Sequence, residues 1–262
     1  MLAPLSAIVG REFKRFRRQR GRLLSAFARA FIWLFVIGSG FSGIVAASAG
    51  LSYRAYLFPG IIGMVILFSA MLAALSTVYD RELGVLRMLL IAPIPRATIV
   101  LGKLASSACL AGVEGGCLLL LVPVLGIPVS LAGIGVAIAG IVMTALALAG
   151  VGMLLASRMG SIENFAVLMN FVIFPMFFLS GGLYPVERLP VLLQLVAYVN
   201  PLTYGIDLMR HGFFGGQRPF GGELPLLVDA GVLLVSTALT TGVAVVGFED
   251  EDRFAAMAAG RR

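Results

Sequence analysis

Three consecutive charges, Asp80, Arg81 and Glu82, stand in an otherwise oily chain, with Gly84, Leu86 and Arg87 close behind. Carboxylates and guanidinium groups so spaced can form charge-assisted hydrogen bonds to a partner protein. A lone acid, Glu114, sits within the apolar run from Leu104 to Ser157. An ionisable group at membrane depth needs a partner or a task. Asn164, Phe171, Phe174, Phe178 and Ser180 mark another apolar run, and aromatic constrictions can gate a path by dewetting. Asn200, Pro201, Tyr204 and Asp207 punctuate a third. Covalent chemistry has little to work with. One histidine, His211, and two cysteines, Cys109 and Cys117, give little support for a metal site. The cysteines, eight apart on one helix, would stand about 12 Å apart along its axis, too far for a disulfide. His211 reads as an interfacial polar residue, not a ligand. No Ser/His/Asp set or paired metal ligands support an intramembrane enzyme.

The elements that carry these residues are set by composition. Of 262 residues, 60% are hydrophobic and 13% charged, with a mean hydropathy of +1.01. Soluble domains run nearer 45–50% apolar and about 25% charged, so the chain is expected to be an all-α integral membrane protein. The net charge of +7 need not mean nucleic acid, because basic residues of membrane proteins collect in cytoplasmic loops.

A span takes about 20 apolar residues. Six are expected, near 30–49, 57–78, 102–122, 131–156, 164–181 and 230–248, the last starting as early as Leu224. Pro123 and Pro128 divide the third from the fourth. The uncharged run Ala30–Tyr53 exceeds the roughly 7–15 residues of a signal-peptide core, so an uncleaved first span is expected. Between the fifth and sixth spans, Asn200-Pro201 splits an apolar stretch into halves too short to cross, 190–199 and 201–214. The segment 182–218 is therefore expected to be a re-entrant, extracytoplasmic helical hairpin, anchored by Asp207 and Arg210.

With six spans, 16 of the 20 Lys/Arg residues fall on one side and Arg54, Arg188, Arg210 and Arg218 on the other. Both termini are then cytoplasmic. Within residues 1–28, Leu5, Ile8, Val9, Phe13 and Phe16 keep helical phase among basic residues, as in an amphipathic helix lying on an anionic leaflet. The whole chain, 1–262, reads as one membrane domain.

The segment 79–96 is expected to hold a short cytoplasmic helix after span 2, ended by Pro93 and Pro95. Leu83, Leu86 and Leu90 would share one face and Asp80, Gly84 and Arg87 another. Asp80 and Glu82 would occupy its first turn, where acids favour the helix dipole. On these residues alone, an ordinary polar loop obeying the positive-inside rule accounts for the stretch equally well. Glu114, flanked by Gly112, Gly115 and Gly116, reads best as a structural acid paired with or bonded to another helix.

A resemblance separates these readings. Arg81-Glu82-Leu83-Gly84, Leu89-Leu90, Ala92-Pro93, Arg96 and Gly102-Lys103 resemble the first cytoplasmic segment of permease subunits in the type-2 family of ATP-binding-cassette exporters. Phe174-Pro175, Leu179-Ser180-Gly181, Tyr184-Pro185, Leu189-Pro190 and Asn200-Pro201-Leu202-Thr203-Tyr204 resemble that family's fifth span and hairpin. The likeness covers nearly the whole chain and is strongest to compact drug, polysaccharide and nodulation-factor exporters.

The resemblance implies a bacterial inner-membrane exporter built from two permease subunits, a homodimer in the simplest case, with two copies of a separate ATPase. Segment 79–96 would be the coupling helix, with Asp80, Arg81, Glu82, Gly84, Leu86 and Arg87 as contacts. Asn164, Phe171, Phe174, Phe178 and Ser180 would border the substrate path; the alternative is that the phenylalanines face lipid or pack on neighbouring helices. A P-loop needs Gly-x4-Gly-Lys-Ser/Thr. The one Gly-Lys pair, Gly102-Lys103, has Ala97 where the first glycine belongs and Leu104 after the lysine. ATP and Mg are thus expected in the partner subunit, with no cofactor in this chain. A non-transporting assembly protein shares the topology but has no need of a coupling helix.

Overall fold

The computed structural model describes residues 10, 20–42, 52–84, 95–215 and 224–259. Among them lie helices and turns and no strand. The first helix, α1, runs over 20–42, with a π-helical stretch at Ile32–Ile37 between Arg20–Phe31 and Gly38–Ser42. The first apolar span therefore begins before the expected residue 30, and residues 20–28 of the expected interfacial segment belong to this same helix. The rest of that segment, Gly10 apart, lies outside the described residues, as do 43–49.

α2, Tyr53–Glu82, starts at Ser52, whose hydroxyl accepts the Ala55 N–H. It is 30 residues long, roughly 45 Å at 1.5 Å per residue. Gly84 ends it with a positive φ of 72°, a conformation glycine adopts without steric cost. α3 is Arg96–Cys117, continued by a 3₁₀ turn over Leu118–Leu121. α4, Leu131–Ser157, is capped by Ser130, and α5, Ile162–Phe178, by Ser161. The hairpin is α6, Val191–Val199, and α7, Pro201–Phe214, bent by 80° at Asn200. Asn200 has the extended conformation a following proline imposes (φ −79°, ψ 115°), and Pro201 opens α7 where no intrahelical N–H is needed. The last helix, α8, is Leu226–Ala259.

α4 is the central pillar, packed against α2, α3, α7 and α8. Residues 201–210 of α7 are all buried, so this helix lies inside the bundle. Small residues make this possible. A Cβ on Gly212 would stand 2.6 Å from the Ala137 nitrogen and 2.7 Å from the Gly133 carbonyl oxygen. Such stripes let backbones touch where there is no water-driven association between helices.

Four helices are long and apolar enough to cross a bilayer: Tyr53–Glu82, Ala97–Leu121, Leu131–Ser157 and Leu226–Phe248. The bent α6–α7 pair would be a fifth if counted as one span. The apolar parts of α1 and α5, Leu24–Gly40 and Ile162–Phe178, are shorter, near the lower limit of about 17 residues. The chain is an all-helical integral membrane protein.

Candidate functional site

The charged triplet sits elsewhere than the sequence implied. Asp80, Arg81 and Glu82 occupy the last turn of α2, not the first turn of a new helix. No breaker separates them from the apolar run, so the helix continues until Gly84. Acids at a helix C-terminus oppose the dipole and need compensation. Each finds it inside the molecule. Lys103 Nζ of α3 lies 2.6 Å from Asp80 Oδ2, and both side chains are buried. Glu82 Oε2 accepts the backbone N–H of Ile162 at 2.9 Å, taking an otherwise orphaned donor at the start of α5.

Arg81 reaches the end of α4. Its Nη1 donates to the carbonyls of Ala156 (2.9 Å) and Met159 (2.6 Å), and its Nη2 to that of Ser157 (3.3 Å). Its guanidinium carbon stands 5.2 Å from the Phe248 ring centroid on α8. Three neighbouring residues of α2 thus hold α3, α4, α5 and α8 at one end of the bundle. Gly84 has open space around it and acts here as the helix stop. Leu86 and Arg87 lie outside the described residues. Lys103 and Phe248 were not legible as site residues, since a lysine early in an apolar helix reads first as a topology signal.

At the opposite end, the hairpin is tied to the ends of α2 and α5. Tyr56 and Arg210 both donate to the Gly181 carbonyl, at 2.8 and 2.6 Å, and Arg210 covers the Tyr56 ring. Asn200 caps α7 through Oδ1 and donates from Nδ2 to the Met176 carbonyl of α5 (2.6 Å). Tyr204 donates to the Tyr198 carbonyl (2.6 Å), and Asp207 accepts the Leu224 N–H (2.7 Å).

Asn164, Phe171, Phe174 and Phe178 fall on one exposed stripe of α5, joined by Val167, with Phe171 75% exposed. Phe174 and Phe178 are stacked, with centroids 6.4 Å apart. Ser180 parts from this stripe. It is buried beyond the helix end, donating to the Phe177 carbonyl and accepting the Gly182 N–H, and it lines a small cavity with Asp207, Arg210 and Leu224.

Glu114 is buried on α3 and interacts electrostatically with Arg29 of α1. The Arg29 guanidinium stands 3.8 Å from the Phe68 ring centroid, midway along α2. Glu114→Gln keeps the shape and removes the counter-charge. The variant should melt at lower temperature, and adding Arg29→Met should recover part of the loss, because a charge left without its counter-charge costs more than removing both. Thermal unfolding in detergent checks both arms. A Gln variant as stable as the parent would show that the pair contributes nothing to stability.

The described residues thus form a helical membrane domain with a charged node at one end of the bundle and the buried helix α7 packed against its central pillar. The chain belongs to the ABC-2 type transporter family, which it matches over residues 4–214. It is similar to Nodulation protein J of Rhizobium leguminosarum bv. viciae, with 32% identity over 227 residues, 83% of this chain and 85% of that protein. It is also similar to Nodulation protein J of Rhizobium meliloti, with 33% identity over 196 residues, 72% of each chain. To the inner membrane transport permease YadH of Escherichia coli it is 24% identical over 233 residues, 88% of this chain and 89% of that one. Permeases of this family normally work with an ABC ATPase.

Proposed function

We propose that this chain is the transmembrane subunit of an exporter, moving an amphipathic, lipid-linked or drug-like molecule out of the cytoplasm. A separate ATPase subunit, in two copies, binds ATP and Mg and supplies the work. In this reading two permease chains pair as a homodimer in the bacterial inner membrane. Each has six spans, with α1 and α5 as the first and fifth, and both termini are cytoplasmic. The exposed α5 stripe from Asn164 to Phe178 borders the path between the two copies, with the stacked phenylalanines as its narrow, dewetting element.

One observation carries the reading. The segment expected to meet the ATPase, 79–96, begins in the node that grips four other helices. A displacement applied just beyond Gly84 therefore enters α2 at the point where α3, α4, α5 and α8 are held. The side chains assigned to partner contact divide into two groups. Asp80, Arg81 and Glu82 distribute the motion within the permease, and Leu86 and Arg87 remain the candidates for contact with the ATPase.

The double variant Glu82→Ala plus Arg87→Ala tests the assignment in proteoliposomes holding permease and ATPase subunits. Insertion should be normal, while the ATPase co-purifies poorly or hydrolyses ATP without matching transport. Normal transport by this variant would remove the segment from the coupling role.

A further inference from the structure

The structure brings together three side chains that the transport reading does not use. Asp207 and His211 lie one turn apart on α7, and Asp229 comes from the first turn of α8. One ligand-type atom from each lies within 4.8 Å of the other two. His211 Nε2 stands 3.6 Å from Asp229 Oδ2. Asp229 is fully buried, and Asp207 nearly so. The Leu224 carbonyl oxygen lies close by, 2.7 Å from His211 Nε2.

We propose that Asp207, His211 and Asp229, with the Leu224 carbonyl alongside, form a binding site for a divalent first-row cation, with Zn²⁺ the best match. The donor set is one imidazole nitrogen and two carboxylates, the kinds of ligand Zn²⁺ takes. A purely oxygen-seeking ion such as Ca²⁺ gains little from the imidazole. With every pair of the three atoms within 4.8 Å, a central ion would stand no more than roughly 2.8 Å from each, so a contraction of under about 0.8 Å reaches the usual 2.0–2.2 Å. Asp207 already accepts the Leu224 N–H, but a carboxylate offers about four lone-pair positions. That bond serves as the outer-sphere support that orients a ligand.

Proton balance is simple. Nε2 gives up its hydrogen bond to the Leu224 carbonyl, the ring proton sits on Nδ1, and imidazole stays neutral as metal ligation requires. Because the ligands come from two elements, a bound ion would fasten the hairpin to the last helix. The site stands at the end of the bundle opposite the charged node, and the proposal does not rest on the transport reading.

The test uses the full chain purified in detergent with an affinity tag free of histidine. After treatment with chelator and dialysis, Zn²⁺ should bind at about one ion per chain and raise the melting temperature. Co²⁺ should give a visible absorption band whose intensity reports low coordination number. His211→Gln keeps an amide able to donate to Leu224 and should weaken Zn²⁺ binding by about 100-fold, as should Asp207→Asn and Asp229→Asn. Ca²⁺ should not compete. The proposal is overturned if the parent chain binds neither Zn²⁺ nor Co²⁺ at micromolar concentration, or if His211→Gln binds Zn²⁺ as the parent does. Should the Asn variants fail to fold, His211→Gln, checked by its melting curve in chelator, decides the matter alone.

Discussion

Replacing Arg81 with alanine should uncouple the transporter while leaving the chain inserted. Its guanidinium serves three carbonyls at the end of α4 and lies against Phe248 of α8. Removal leaves those carbonyls with fewer donors and loosens the tie between the end of α2 and the ends of α4 and α8. Coupling energies between distant sites are about 1–3 kcal/mol, so transport per ATP hydrolysed should fall by about 5–150-fold. The measurement is transport and ATP hydrolysis side by side in proteoliposomes. Arg81→Lys should recover only part of the loss, because one ammonium cannot reproduce a planar fork serving three acceptors and a ring. Phe248→Leu, which removes the ring and leaves the carbonyl bonds, should give a smaller effect of the same sign. If transport and hydrolysis fall in equal proportion, the node is structural and transmits nothing.

The second large effect is expected at the opposite end. Gly212→Ala places a methyl 2.6 Å from the Ala137 nitrogen and 2.7 Å from the Gly133 carbonyl oxygen. Both obstacles are backbone on the central pillar, so no side chain can rotate away. Overpacking of this kind costs about 1–3 kcal/mol. The hairpin must also shift, and with it the Asp207 and Arg210 hydrogen bonds. The variant should melt well below the parent. Gly116→Ala, at a position with nothing within 4 Å of the added Cβ, should be neutral or slightly stabilising, since alanine favours the helix. Equal melting temperatures for the two variants would refute the backbone contact.

These two ends of the bundle differ in how far their residues alone reveal them. The hairpin is legible almost to the residue, because Asn-Pro breaks a helix by local sterics that need no neighbour. Its burial is not, since the partners of Gly205 and Gly212 lie some 60–80 positions away, on α4. At the foot of α2, an Asp-Arg-Glu sequence suits the first turn of a helix, and that local preference points the wrong way. Gly84 is the signal that corrects it, a glycine just past the last periodic residue. The partners of Arg81 are beyond reach in principle, because backbone carbonyls carry no sequence mark. Glu114 stands out because a lone acid in an apolar run is rare; Arg29 does not, because a basic residue near a terminus is common.

The node has a consequence for how such chains can change in length. Neighbouring residues of an α-helix point about 100° apart, so Asp80, Arg81 and Glu82 face three directions and meet different helices. Losing or gaining one residue anywhere between Ser52 and Asp80 would turn the whole triplet by that angle and misdirect every contact at once. A gain of seven would restore the directions but carry them about 10 Å further along the axis, past their partners. Substitutions at a single position fail one bond at a time, but a one-residue gap in α2 fails them together. The length of this helix is therefore as much a part of the site as the identities of the residues at its foot.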